Sequence, residues 1–334
     1  MCKCWYRVNL RSRAASEMRP GLSFLRVCAY DLHSPPTLIF TAVVLKGRSL
    51  EKLIISAATT GSKTSRAQTP YVPITEEEIA AQAVDCWRAG AAIVHIHVRD
   101  ENGLVSCDAW RYQKVTDLVR AAGSDVIMNW STGGGAGIVT DEQRTAPVRN
   151  APEVASFDCG STNFGDGVFI NSPSFLTNLA REMNEHLVTP EIEIFDSGMV
   201  ENARQLIDDG LLQPPYWFQF VLGLRGGAPA TARELSHLVD SLPPGSNWSV
   251  CAIGKHQLPM NVMALAMGGH ARTGLEDNIY YGYRQLAISN AQLVERLARL
   301  ASEVGRPLAT PDEAREIIGV HARRGAAGAT CPTH

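Results

Sequence analysis

The sequence lacks the long apolar runs and the excess of positive charge that mark two large classes of protein. No apolar run is long enough to cross a bilayer, which argues against a membrane-spanning chain. The 31 basic and 34 acidic residues leave a net charge of −3, whereas a dedicated nucleic-acid binder normally carries a basic face. We therefore expect no membrane or nucleic-acid partner, and a cytoplasmic location by default.

The eight cysteines lack the spacing of a disulfide framework or a zinc module. No Cys-x-x-Cys pair occurs, and Cys2-Lys-Cys4 has no second cluster that would complete a metal site. We interpret Cys2 and Cys4 as incidental. The sequence also lacks a recognisable Ser-His-Asp or Cys-His arrangement, so it does not predict a reaction through a protein nucleophile.

Residues 1–48 differ in composition from the rest of the chain, because they are rich in arginine, contain scattered prolines and show no sustained period. We predict an irregular, poorly ordered N-terminal extension over 1–48, a catalytic domain over 49–322 and a C-terminal tail over 323–334. A targeting peptide and an upstream translation start are alternative explanations of the extension.

From residue 53 onward, apolar runs typical of β-strands alternate with stretches typical of helices. The eight runs are Leu53–Thr59, Ala92–Val98, Val126–Ser131, Val154–Cys159, Glu191–Phe195, Trp217–Leu222, Trp248–Ile253 and His270–Thr273. The helix-type stretches are Thr75–Ala89, Ala109–Ala122, Pro173–His186, Ala230–Ser241, Pro259–Met267 and Ser289–Val304, with only a short, proline-broken stretch over Thr140–Ala151. Eight strands, most of them followed by a helix, predict an α/β fold of the (β/α)8 TIM-barrel type. An open α/β sheet is the alternative.

His95 and His97 interrupt the apolar run that predicts the second strand. Residues two apart in a strand face the same side, so the two imidazoles are expected to point at one spot. Histidine is the commonest metal ligand among side chains and suits zinc. The alternative is a pair of polar groups satisfied within the core.

Glu276 and Asp277 follow the eighth predicted strand. In a closed barrel the first strand lies between the second and the eighth, and active sites form at the carboxyl ends of the strands. A carboxylate after strand eight is therefore expected to meet the two histidines of strand two. Two histidines and one carboxylate form the ligand set of catalytic zinc sites and also of non-haem iron oxygenases.

Six motifs occur in order along the chain and are specific in combination. They are Ala57-Ala-Thr-Thr-Gly61, Pro70-x-x-Pro73-Ile-Thr75-x-Glu77-Glu78, His95-x-His97-x-Arg99-Asp100, Ser131-Thr-Gly-Gly134, Asn163-Phe-Gly165 and Gly268-Gly-His-x-Arg272-x-Gly274-x-Glu276-Asp277-Asn278. With these motifs the chain resembles the β-keto acid cleavage enzymes, a family that includes the 3-keto-5-aminohexanoate cleavage enzyme. The resemblance runs from about residue 52 to about residue 320.

The resemblance implies a zinc-dependent barrel that condenses a β-keto acid with acetyl-CoA and releases acetoacetate and a new acyl-CoA. It implies that His95, His97 and Glu276 hold the metal, and that Asp277 is the general base, assisted by Arg272. The absence of a protein nucleophile agrees with this chemistry, because the freed CoA thiolate attacks the former keto carbon.

The resemblance also implies the residues that contact the substrate. Ser131 and Thr132 would meet the substrate carboxylate, and Ser161 and Asn163 match positions that line the substrate pocket of the family. It further implies a homo-oligomer, a symmetric tetramer.

The chain departs from the aminohexanoate enzyme after its first strand. Lys63 stands in the loop where that enzyme carries a glutamate facing the substrate's amino group. A cation there favours a substrate tail that is anionic or neutral rather than amino, unless Lys63 points to solvent. A second departure is Arg225, in the glycine-rich loop after strand six, for which we expect either contact with a CoA phosphate or plain surface exposure.

Two other functions are compatible with a His-x-His pair in a barrel. A hydrolase of the amidohydrolase type carries the pair on its first strand and takes further histidines from strands five and six, whereas strands five and six of this chain end without histidine. The other function is a non-catalytic barrel that binds a metal or CoA. Intact candidates for every catalytic role argue against it.

Overall fold

A computed structural model describes residues 51–135 and 137–320 of the chain. The predicted extension over 1–48 and the predicted tail over 323–334 lie outside the described residues, as do Cys2 and Cys4. No helix in the described part of the chain has the length and apolar character that a membrane span requires.

Eight parallel strands close into a barrel in which each strand pairs with the next along the chain and the eighth pairs with the first. The strands are β1 (Ile55–Ala58), β2 (Ile93–Ile96), β3 (Ile127–Trp130), β4 (Val154–Asp158), β5 (Thr189–Ile194), β6 (Tyr216–Leu222), β7 (Ser246–Ala252) and β8 (His270–Thr273). The predicted TIM barrel is therefore confirmed, and the alternative of an open sheet is wrong.

Helices surround the barrel in alternation with the strands. They are α1 (Glu76–Arg88), α2 (Ala109–Ala121), α3 (Asp141–Thr145), α4 (Pro173–Glu185), α5 (Ser197–Asp208), α6 (Ala232–Asp240), α7 (Gln257–Met267), α8 (Asn290–Glu303) and α9 (Pro311–Ile318). The connection between β3 and β4 is short as predicted, because α3 passes into a 3₁₀-helix over Ala146–Asn150 that contains Pro147.

Local sequence signals explain where several helices begin. Thr75 forms a capping box with Glu78 at the start of α1, since its side chain accepts a hydrogen bond from the Glu78 amide. Asp196 accepts hydrogen bonds from the Gly198 and Met199 amides and so caps α5. Asp196 is thus a structural residue of the helix start.

The two faces of β2 contact different layers of the core. Val94 and Ile96 pack toward α1 and α2, whereas Ile93 packs with Ile318 of α9 at the amino-terminal end of the barrel. Because side chains alternate along a strand, His95 shares the inner face with Ile93. The apolar pattern of β2 therefore directs His95 into the barrel.

Candidate active site

Three potential metal ligands converge at the carboxyl ends of β2 and β8. His95 lies on β2, His97 directly follows that strand, and Glu276 lies in the loop after β8. The distance from His95 Nε2 to Glu276 Oε2 is 3.7 Å, and from His97 Nε2 to Glu276 Oε1 it is 3.4 Å. The three ligand atoms lie within 4.8 Å of one another, close enough for a single ion.

Close contact between β1 and the loop after β8 brings Glu276 to the histidines. Ala58 of β1 is the register partner of His95, and its carbonyl accepts a hydrogen bond from the Glu276 amide at 3.2 Å. Gly61 adopts a φ of +70°, and a Cβ there would lie 2.6 Å from Cγ of Glu276. A side chain at position 61 would therefore displace the carboxylate.

The donor set of this cluster suits a divalent cation. Glu276 Oε2 is buried and has no hydrogen-bond partner among the described residues. Burial lowers the pKa of His95 to about 3, so its ring is neutral, as a metal ligand must be. Burial alone would raise the pKa of Glu276, but the charge of the neighbouring Arg272 outweighs it and holds that pKa well below its usual range. Two imidazole nitrogens and one carboxylate oxygen match the preferences of zinc.

Arg272 and Asp277 form a buried, two-point ion pair beside the histidines. Arg272 Nε donates to Asp277 Oδ2 at 3.0 Å, and Nη2 donates to Oδ1 at 2.9 Å. The same guanidinium contacts Glu276 Oε1 at 2.7 Å. Burial raises the pKa of Asp277 although Arg272 opposes the shift. Arg272 thus fixes the orientation of both carboxylates.

Two further carboxyl groups line the same cavity, Asp158 at the end of β4 and Glu193 on β5. Burial and the neighbouring Asp158 raise the pKa of Glu193 well above its usual range, despite Arg272 Nη1 at 3.4 Å. In the sequence analysis, Glu191 and Glu193 belong to the run that predicts the fifth strand, and neither receives a functional role. Their Glu-x-Glu spacing at a strand end was the available signal, because it places both side chains inside the barrel.

The cavity also brings together Lys63, Ser131 and apolar side chains. Its aromatic lining residues are Phe164, Phe169 and Phe195. Lys63 Nζ donates to the Phe164 carbonyl at 3.2 Å and lies 4.1 Å from the centroid of its ring. A cation and an apolar wall therefore meet at the rim of the cavity.

Four other residues named from the sequence do not line this cavity. Thr132 is buried and donates its hydroxyl to the Ser156 carbonyl at 2.9 Å. Ser161 is exposed, and its hydroxyl accepts a hydrogen bond from the Asn171 amide at 2.9 Å. Asn163 and Arg225 are also exposed, in the loops after β4 and β6.

Arg99, to which sequence reasoning gave no role, supports the rim. It donates to the Gly61 carbonyl at 2.5 Å and to the Thr64 carbonyl at 3.0 Å. Thr64 in turn donates its hydroxyl to the Leu275 carbonyl at 3.1 Å. These contacts hold the loop that carries Lys63 against the loop that carries Glu276.

A family model described as beta-keto acid cleavage enzyme matches residues 52–320, which include the whole barrel and the ligand cluster. The chain belongs to the β-keto acid cleavage enzyme family. It is therefore an enzyme, and the resemblance stated from its motifs is confirmed.

Curated relatives of this chain in the family act on different compounds. The 3-keto-5-aminohexanoate cleavage enzyme of Fusobacterium nucleatum subsp. nucleatum is 44% identical over 81% of this chain and 99% of its own length. The 3-oxoadipate:acetyl-CoA acetyltransferase of Cupriavidus necator is 37% identical over 80% and 94%. The 3-dehydrocarnitine:acetyl-CoA trimethylamine transferase of Rhizobium meliloti is 36% identical over 80% and 96%.

Among solved structures, the apo structure of ObcA is similar with a TM-score of 0.66 and 23% identity. The match covers 76% of this chain and 66% of the ObcA chain. At this identity the similarity shows the barrel fold alone.

Proposed function

We propose that this protein is a zinc-dependent enzyme that condenses a β-keto acid with acetyl-CoA and releases acetoacetate and a new acyl-CoA. The observation that carries the proposal is the convergence of His95, His97 and Glu276 beside the ion pair of Arg272 and Asp277. The curated relatives support it, since two of their names contain acetyl-CoA.

The metal would be held by His95, His97 and Glu276. Bound there, zinc would supply a Lewis acid for the 3-keto oxygen, which makes the C2 proton of the substrate acidic enough for a carboxylate to remove. The buried, unpartnered oxygen of Glu276 supports this assignment.

Asp277 would take the C2 proton. Its two hydrogen bonds from Arg272 prevent rotation of the carboxylate, and its raised pKa makes it a stronger base than an exposed aspartate. The C2 carbanion attacks the acetyl thioester and expels the CoA thiolate. The thiolate then attacks the former keto carbon, the bond between C2 and C3 breaks, and the departing acetoacetate carbanion recovers a proton from Asp277.

The substrate tail would be anionic or neutral rather than amino. Lys63 at the rim of the cavity supports this, because a cation repels an ammonium group and attracts a carboxylate. Ser131, on the cavity wall, would contact the reacting carboxylate. Thr132, Ser161 and Asn163 would act by positioning the loops around it. Arg225, which is exposed and does not line the cavity, would be a surface residue. We also infer a cytoplasmic homotetramer, which rests on the family resemblance.

An activity screen tests the proposal. Zinc-loaded protein is incubated with acetyl-CoA and one of 3-oxoadipate, 3-oxoglutarate, a neutral β-keto acid or 3-keto-5-aminohexanoate, and acetoacetate and the new thioester are measured. We expect both products in equal amounts. Product release without CoA would indicate a hydrolase instead, and zinc binding without turnover of any compound would indicate a non-catalytic barrel.

A further inference from the structure

A second groove opens next to the proposed active site, between the loop after β7 and the hairpin after β8. Its volume is about 930 Å³. The hairpin pairs Tyr280–Gly282 with Gln285–Leu286, and the opposite wall contains Leu258 and Pro259 of α7. The proposed reaction involves none of these residues.

The groove adjoins the proposed general base directly. Gly254, a lining residue, donates its amide to the Asp277 carbonyl at 2.8 Å. Asn278, the next residue in the chain, donates from Nδ2 to the Tyr280 carbonyl at 2.7 Å and accepts from the Tyr280 amide at 3.0 Å. Asn278 thus joins the hairpin to the loop that carries Asp277. The groove and the active-site cavity are therefore lined by adjacent residues, Asn278 and Asp277.

The charged residues that line the groove are all cations: Lys255, Arg284 and Arg296. Within the part of the chain that the structure describes, none of the three forms a salt bridge with a carboxylate. Arg296 is half-buried and donates to the Tyr281 carbonyl. Burial lowers the pKa of Arg296, and the neighbouring Arg299 adds to this shift. Three unpaired cations in one concave site favour an anionic ligand with several charges.

Tyrosine rings stand beside these cations. Tyr283 is 91% exposed and Tyr280 is 46% exposed, so their rings are open to a ligand. The Arg284 guanidinium lies 5.3 Å from the centroid of the Tyr283 ring, and that of Arg296 lies 4.4 Å from the Tyr281 ring. Alternating aromatic and cationic groups are the pattern that binds a nucleotide, since bases stack on rings and phosphates pair with guanidinium groups.

We propose that this groove binds the nucleotide end of the CoA thioester, with the adenine against the tyrosines and the phosphates on Lys255, Arg284 and Arg296. The proposal rests on the proposed function, which requires a CoA thioester that reaches the substrate carbons C2 and C3 beside Asp277. It assigns the phosphates to residues other than Arg225, which does not line the groove.

Direct binding tests the groove without turnover. Adenosine 3′,5′-bisphosphate and CoA are titrated by calorimetry into wild-type protein, the double variant Lys255→Ala/Arg284→Ala, Tyr283→Ala and the control Arg181→Ala, which removes an exposed arginine on α4. The exposure of Lys255, Tyr283 and Arg284 makes misfolding of these variants unexpected. We expect the Kd of both ligands to rise at least tenfold in the double variant and severalfold in Tyr283→Ala, with the control unchanged.

Kinetics give the second readout. The KM for acetyl-CoA should rise in the double variant while kcat stays within twofold, and turnover of S-acetylpantetheine, which lacks the nucleotide, should be equal in the double variant and wild type. Equal affinities in all variants, or no affinity of wild type for the bisphosphate, would overturn the proposal. A changed mass of the double variant in sedimentation would overturn it too, because the groove would then be a contact between copies. Groove-dependent CoA binding in a protein that cleaves no β-keto acid would support the groove and refute the proposed function.

Discussion

Arg272 Nε and Nη2 donate to the two carboxylate oxygens of Asp277, at 3.0 and 2.9 Å. A planar guanidinium with two parallel donors fixes a carboxylate in a way that a lysine ammonium cannot. The pair sits at the carboxyl end of the barrel, where Arg272 also contacts Glu276. One side chain therefore positions both the proposed base and a proposed metal ligand.

Asp277→Asn should remove the proton-transfer step and leave the metal site intact. General-base catalysis contributes about 10²- to 10⁴-fold, and we expect kcat to fall within that range. Exchange of the C2 protons of the β-keto acid in D₂O without CoA should slow in parallel, as measured by proton NMR. Zinc content should stay at the wild-type level. If the C2 protons exchange as fast with the variant as with wild type, Asp277 is not the general base.

Chelation should abolish turnover and lower thermal stability together. A ligand at 100 times its Kd stabilises the folded state by about 2.7 kcal/mol, so zinc added to the apoprotein should raise its melting temperature measurably. The shift should disappear in His97→Ala and persist in His237→Ala, a control on the exposed side of α6. If zinc raises the melting temperature of both variants equally, the bound zinc lies at another site.

Lys63→Glu should change the preferred substrate tail. Reversal of the charge at the rim is expected to lower kcat/KM for 3-oxoadipate about tenfold or more and to raise it for 3-keto-5-aminohexanoate. Lys63→Met, which removes the charge, should lower kcat/KM for 3-oxoadipate without raising it for 3-keto-5-aminohexanoate. If the ratio of kcat/KM for the two compounds is the same in Lys63→Glu as in wild type, Lys63 does not face the substrate.

The stability of the barrel should fall on acidification partly through His270. This residue begins β8, and its Nδ1 accepts a hydrogen bond from the Ile54 amide at 3.0 Å. Burial lowers the pKa of His270 to about 3, below its value near 6.5 in the unfolded chain. The unfolded state then binds the proton first, so the contribution is complete above pH 6.5 and is lost as the pH falls from 6.5 toward 3.

The matched variant is His270→Asn, which keeps an acceptor near Nδ1 but does not titrate. At pH 5.5 wild type should have lost about 1.4 kcal/mol through His270 relative to pH 7.5, a loss that the variant should not show. Urea unfolding at the two pH values measures the difference. Equal losses in both proteins would refute this account.

The sequence predicted the ligand cluster because simple periodicities govern its placement. Alternation along β2 directs His95 inward, and closure of the barrel brings the loop after β8 to β2. The strand positions followed from the same apolar runs. Helix α9 was not predicted, although Thr310, Pro311 and Glu313 form the capping sequence that begins it.

The contacts of loop side chains do not follow from local sequence patterns, because their orientation depends on residues distant in the sequence. Thr132 forms hydrogen bonds with Ser156 of the neighbouring strand, and Ser161 accepts one from the amide of Asn171, which follows the hairpin after β4. The second groove, lined by Tyr280 and Tyr283, also brings together residues that no local sequence pattern connects. Lys255 follows β7, whereas Arg296 lies on α8.

Helix α9 closes one end of the barrel. Ala314 and Ile318 pack on the first residues of β2, β3 and β4 and seal that end with apolar side chains. Among the described residues, this apolar layer closes the amino-terminal end, so the substrates and products of the proposed reaction would pass through the opposite rim. If the reaction is the one proposed, a slowly dissociating acyl-CoA would block the release of acetoacetate, and we expect product release to limit the rate of each cycle.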